Sequence, residues 1–361
     1  MRDYPGYRLH LAAKRLATAA LRATLTLTVT FRRRRRPPLP VTGTVVLLDR
    51  CLGIGDALML SPALRLLAPL GPVTVVTALP PLLDWHGAWL SCPHWAAMTD
   101  AVNRLAADGR LLLVPRLGLA GLTVLIRWPG GLPAGVIRSG PTHWLDTVNR
   151  THGAITGRHY TDGALACAQA LLNLATGTRD DPPAEPAVPR LAPRLPADGG
   201  AAMAATPEIL ANRPLVALAP WATSRIRRWP AGHWGQLIDR LATAEAAPVF
   251  VLLGSADERP AGDRILQGLS RTDAGHPMAS AVNLMGRLTL AETTAMVARA
   301  TLLIACDNGI LHLGLGVGTP VVAIFGSTDP AARLTGHRWR LAADPGLCPH
   351  RRAPLLPGPA P

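Results

Sequence analysis

The 361-residue chain is long enough for two domains that each bury a core, and an apolar content of 48% excludes a wholly disordered protein. Its formal charge of +14 sits at the ends: residues 1–36 carry ten basic side chains against Asp3, and residues 331–361 carry five arginines against Asp344. A nucleic-acid binder needs its basic stripe on the folded body, so no nucleic-acid partner is expected; charged ends suit an anionic membrane surface instead.

In the leader, residues 16–31 are apolar but broken by Arg22, and fall short of the roughly 20 residues that span a bilayer. No small-residue cleavage site follows, and the arginines at 32–36 argue against a secretory signal. Arg8, Arg15 and Arg22 would form one stripe on a helix, whereas residues 24–31 alternate as a strand does. The leader, residues 1–40, reads either as a basic anchor lying on the membrane surface, the preferred reading, or as a disordered segment.

Beyond the prolines at 37–40, residues 44–49 form a buried-strand run, followed by a glycine turn and a helical stretch over 56–70. A strand is predicted at 73–77, further strands at 111–114 and 123–127, and helices at 144–155 and 163–174. Six prolines between residues 178 and 200 mark a linker. The second half predicts strands at 215–219, 249–253, 302–305 and 321–325. Pro230 stands at the first position of a helix ending near residue 244, and another helix covers 257–269. Thr289-Leu-Ala-Glu292 is a capping box that opens a helix to Arg299.

Alternating strands and helices imply parallel sheets covered on both faces, with ligands at the carboxyl ends of the strands. The division is a leader at 1–40, a first domain at 41–178, a proline-rich linker at 179–213, a second domain at 214–336 and a proline-rich tail at 337–361.

Several chemistries are disfavoured. Gly53-Ile-Gly55 begins like a dinucleotide fingerprint but lacks its third glycine, and Thr77 and Ala78 stand where an acidic residue should end the second strand. A Walker motif is impossible because Lys14 is the sole lysine, and H-E-x-x-H, G-x-S-x-G and D-x-D are all missing. Cys51, Cys92, Cys167, Cys306 and Cys348 never fall in C-x-x-C spacing, which points to a reducing compartment without a disulfide framework or structural zinc. Cys92-Pro-His94 and Cys348-Pro-His350 read as loop residues.

Four segments remain. They are Arg50-Cys-Leu-Gly-Ile-Gly55-Asp56 with Ser61-Pro62-Ala63-Leu64, and Pro220-Trp-Ala-Thr223-Ser224-Arg-Ile-Arg227-Arg228-Trp229-Pro230. Then come Leu253-Gly254-Ser-Ala-Asp-Glu258 with Asn283-Leu-Met-Gly286-Arg287-Leu288, and Asp307-Asn308-Gly309-Ile-Leu-His312 with Gly318-Thr319-Pro320 and Phe325-Gly326. In this order and spacing they resemble the bacterial heptosyltransferases, glycosyltransferase family 9.

The resemblance implies a GT-B fold, two doubly wound Rossmann-like domains facing a central cleft, and a metal-independent, inverting transfer with no cofactor. Its donor would be a nucleotide-diphosphate sugar such as ADP-heptose. Its acceptor would be a glycolipid or glycan at the cytoplasmic face of the inner membrane. By resemblance Asp56 is the catalytic base, although an aspartate opening a helix also serves as an N-cap. Thr223, Ser224, Arg227 and Arg228 would meet the donor phosphates, Arg227 standing where relatives commonly have lysine, although such a run is also found solvated on surfaces. Asp307, Asn308, Gly309 and His312 would lie at the donor sugar, with Asn308 in place of the usual Ser or Thr. Glu258 and Leu288 would flank the nucleoside. A catalytically silent binding or scaffold protein of the same fold is the alternative, and a Rossmann oxidoreductase is a more distant one.

Overall fold

The structure is a computed structural model describing residues 41–48, 53–81, 87–116, 119–128, 132–137, 159–182, 213–245, 247–270, 279–326, 328–330, 333–334 and 339–343. The leader, most of the proposed linker, the predicted helix at 144–155 and Cys348-Pro-His350 lie outside the described residues.

Five parallel strands build the first sheet: β1 (Thr44–Leu48), β2 (Val73–Thr77), β3 (Ala88–Ser91), β4 (Leu111–Val114) and β5 (Ala134–Val136), in the order β3-β2-β1-β4-β5. The central strand is apolar on both faces, as a covered parallel strand must be. Val46 and Leu48 face α1 (Ile54–Met59), α2 (Ser61–Leu67) and α5 (Tyr160–Thr176). Val45 and Leu47 face α3 (Trp95–Ala106) and α4 (Leu119–Arg127).

Three readings of this half need correction. The helix predicted over 56–70 is two helices and a 3₁₀ turn, because Pro62 opens α2 afresh after Leu60. Residues 123–127, predicted as a strand, close α4. Val124, Leu125 and Trp128 are buried together on its inner side, a helical spacing that overrides the β-branched local sequence. β3, α3 and β5 were not foreseen. His94 ends the Cys92-Pro-His94 loop by capping α3, its Nδ1 accepting from the N–H of Ala97 at 3.1 Å.

The second sheet holds β6 (Leu215–Ala219), β7 (Val249–Leu252), β8 (Ala281–Asn283), β9 (Leu302–Cys306), β10 (Val321–Phe325) and β11 (Trp339–Ala343). All pairs are parallel, in the order β11-β10-β9-β6-β7-β8. Helices α6 (Ala231–Ala242) and α7 (Arg259–Gln267) cover one face through Trp234, Ile238 and Ile265. Helices α8 (Leu290–Arg299) and α9 (Gly309–Val317) cover the other through Met296, Val297, Leu311 and Leu315. The Thr289 capping box is present, with Oγ1 accepting from the N–H of Glu292 at 3.2 Å. Pro230 caps α6 rather than opening it. β11 extends the sheet into the segment read from sequence as tail.

Each sheet reverses its winding direction between two central strands, β1/β4 and β6/β9, which is where doubly wound sheets open a crevice. The domains touch beside those crevices. α1 packs on α9 through Leu58 and Leu313, each 1% exposed, with Ile54, Leu290, Ile310 and Val317 around them. Burying each leucine contributes roughly 1.5–3 kcal/mol, so this apolar contact fastens the joint.

Candidate active site

In the second domain, β9 delivers Asp307 and Asn308 to its carboxyl end. Asn308 caps α9, Oδ1 accepting from the N–H groups of Ile310 and Leu311, both at 3.0 Å. Its Nδ2 donates to the carbonyls of Ala219, at 3.0 Å, and Trp221, at 2.7 Å. All four hydrogen-bonding positions of the amide are filled, which fastens the β6 loop to α9.

That loop carries Thr223, Ser224 and a 3₁₀ turn, Arg225–Arg227. Its two candidate arginines take different directions. Arg227 Nη1 reaches both the Oδ2 and the backbone carbonyl of Asp307 at 3.2 Å. Asp307 keeps only 3% of its side chain exposed, against 26% for Arg227. Arg228 turns inward, with Nε donating to the Ala222 carbonyl at 2.6 Å, Nη2 to that of Thr223 at 3.2 Å, and its guanidinium 3.6 Å over the Trp221 ring. Partial desolvation first, then repulsion from Arg225, lowers its pKa from the usual arginine value. Arg228 therefore shapes the loop on which Arg227 stands. The Gly326 backbone approaches Ile226 so closely that an added Cβ would lie 2.6 Å from the Ile226 carbonyl oxygen.

The ends of β7 and β8 form a second loop pair. Gly286, at φ +69°, donates its N–H to the Gly254 carbonyl at 3.0 Å. Glu258 Oε2 accepts from the Ser255 N–H at 2.8 Å and lies over Gly254, where a Cβ would strike it. Leu288 is half-buried against the second core. Glu258 and Leu288 thus stand at the strand ends on the β7–β8 side, apart from the Asp307 cluster.

From the first domain, α1 presents Asp56 across the joint. Its Oδ2 accepts from the Gly53 N–H at 3.0 Å, and its Oδ1 lies 3.6 Å from Nη1 of Arg333 in the second domain. Gly55 abuts the imidazole of His312, leaving no room for a Cβ, and Gly309 meets Ile54 in the same way, at 3.0 Å from an added Cβ. His312, 6% exposed, is pulled down to about 4 by desolvation, which outweighs the opposing pull of Asp307. It also feels Arg333, Asp56 and His159, so it stays neutral between the two carboxylates.

The structure thus gathers Asp56, Arg227, Asp307, Asn308, Gly309 and His312 at facing switch points, with Thr223 and Ser224 on the adjoining loop. Sequence reasoning missed Arg333, whose contact exists only across the joint. It also missed the role of Gly55, for which the Gly-x-Gly spacing was an available signal. Cys306 is no nucleophile: burial pushes its thiol up to about 11, and it donates to the Pro220 carbonyl at 3.4 Å. Among the described residues, no three His, Cys, Asp or Glu side chains are grouped to hold a metal ion. Among the same residues, no helix is long and apolar enough to cross a membrane.

Residues 168–336 match the pattern that defines Glycosyltransferase family 9 (heptosyltransferase). The chain is 32% identical over 123 residues to lipooligosaccharide heptosyltransferase 2 of Haemophilus influenzae, an alignment covering 34% of each chain. It therefore aligns with about a third of that relative's length. Two solved structures share the fold. ADP-heptose lps heptosyltransferase II of Escherichia coli superposes over 83% of this chain and 90% of its own, at TM-score 0.56 and 18% identity. Heptosyltransferase WaaC of E. coli with ADP-2-deoxy-2-fluoro heptose does so over 84% and 94%, at TM-score 0.55 and 16% identity. At these identities the likeness establishes the GT-B architecture.

Proposed function

We propose, from the match of residues 168–336 to glycosyltransferase family 9, that the chain is an inverting, metal-independent glycosyltransferase. It moves a sugar from a nucleotide-diphosphate donor to a hydroxyl of a lipopolysaccharide-core or related glycan acceptor. The donor proposed is ADP-heptose, because the solved relative named above holds an ADP-heptose analogue.

The observation that carries this reading is the facing pair of switch points. Asp56 reaches the cleft from one domain and the Arg227–Asp307 pair from the other, with His312 against Gly55 between them. In the proposed reaction the acceptor oxygen attacks the anomeric carbon while its proton passes to the Asp56 carboxylate. The bond from that carbon to the diphosphate breaks, and its electron pair leaves on the phosphate oxygen. The growing negative charge meets the guanidinium of Arg227 beside Thr223 and Ser224, with Arg228 bracing the loop.

Asp307, Asn308, Gly309 and His312 border the donor sugar in this reading. Asn308 acts by holding the α9 turn in shape, since its amide is saturated. Glu258 and Leu288 flank the nucleoside on the β7–β8 side. Residues 41–178 would receive the acceptor and 214–336 the donor, with 179–213 as linker. Residues 1–40 would rest the enzyme on the anionic cytoplasmic face of the inner membrane.

The test is transfer from ADP-heptose to a heptose-deficient core acceptor. Asp56→Asn should lower turnover about 10²–10⁴-fold without weakening donor binding. A wild-type protein that binds nucleotide sugar but never turns it over would select the silent scaffold instead.

A further inference from the structure

The transfer chemistry above leaves Arg333 without a task. Its backbone is well anchored: the N–H groups of Arg333 and Leu334 both donate to the Pro330 carbonyl at 2.9 Å, and Leu334 is 8% exposed in the second core. From this turn the side chain crosses to the first domain and ends 3.6 Å from Asp56.

Geometry marks this pair as easily exchanged. Charge-assisted hydrogen bonds settle at about 2.7–2.9 Å, well inside the separation found here. Both side chains are about a quarter exposed, at 28% and 23%, so water screens the attraction. A pair of this kind shifts an equilibrium by no more than about five-fold. The joint does not depend on it, because Leu58 and Leu313 already fasten α1 to α9. Arg227 is bound differently, by two contacts at 3.2 Å to a residue whose side chain is 3% exposed. Of Arg227 and Arg333, Arg333 is the more loosely held and so the readier to change partners. A diphosphate carries more charge than one carboxylate and accepts from a planar guanidinium through paired oxygens.

We propose that Arg333 is a second cation of the diphosphate site, held on Asp56 until a nucleoside diphosphate arrives. Donor binding then exchanges the partner of Arg333 and releases the Asp56 carboxylate for the acceptor hydroxyl. Arg333 binds the donor directly in this scheme and couples its arrival to the availability of the base. The inference rests on the reading of Asp56 as that base.

Calorimetric titration with ADP, and with inorganic pyrophosphate as a probe lacking the nucleoside, tests it in wild type, Arg333→Gln, Arg333→Lys, Asp56→Asn and the Asp56→Asn/Arg333→Gln double variant. Arg333→Gln should weaken ADP binding about tenfold, and Arg333→Lys should recover part of the loss. Asp56→Asn should tighten binding by up to about five-fold, because the competitor for Arg333 is gone. That gain should vanish when Arg333 is already glutamine, and pyrophosphate should follow the same order.

Wild-type affinity in Arg333→Gln overturns the inference alone. So does an Asp56→Asn gain that persists in the double variant, which would mean long-range charge rather than exchange. Wild-type protein that binds neither probe overturns the proposed function together with this inference.

Discussion

The two switch points carry the same residue type in opposite conditions. Asp307, at the end of β9, is buried and held by Arg227 through two contacts at 3.2 Å. Asp56, at the start of α1, is part-exposed, bonded to one backbone N–H and paired loosely with Arg333. A carboxylate that orients a ligand gains from being fixed, whereas one that collects a proton must reach solvent and exchange partners. The folds are alike and the proposed tasks differ, so the difference lies in how each anion is held.

The largest expected effect comes from erasing the looser anion. Asp56→Asn should cost about 10²–10⁴-fold in turnover yet leave the urea-unfolding midpoint nearly unchanged, since its pair contributes about 0–1 kcal/mol. Arg227→Ala should add a stability loss to its effect on turnover: it strands a buried carboxylate, and urea unfolding should show a loss of about 3 kcal/mol. Equal stability losses in both variants would break the comparison.

A test between these two residues uses His312, which is pulled down to about 4 in the fold from a usual 6.5. Because the folded state resists protonation, its contribution is complete above about pH 6.5 and is lost as pH falls toward about 4. The slope approaches about 1.4 kcal/mol per pH unit, and His312→Gln should remove that share in urea melts at several pH values. Thr289→Ala, which removes the side-chain cap of α8, should cost about 1 kcal/mol in the same urea melts.

Legibility also differed between the halves. The second domain largely announced itself, since β6, β7, β9 and β10 are short apolar runs and Thr289 to Glu292 an explicit capping box, although β8 and β11 were not foreseen. The first did not, because β3 is an edge strand whose side chains are largely exposed and residues 123–127 spell a strand inside a helix. At the site, the meeting of Asp56, Asp307 and His312 at one cleft agrees with the motif order, and their roles remain those proposed above. The division of labour between Arg227 and Arg228 was not, since adjacent arginines look alike until one meets Asp307 and the other meets the carbonyls of its own loop. Arg333 was silent because its partner lies in the other domain.

The saturated amide of Asn308 has a consequence for how this protein could diversify. By tying the carbonyls of Ala219 and Trp221 to the first N–H groups of α9, it makes the β6 loop and that helix a single rigid jaw. A new ligand preference would then have to come from exchanging side chains along the jaw's rim, because neither edge can be re-angled without dragging the other.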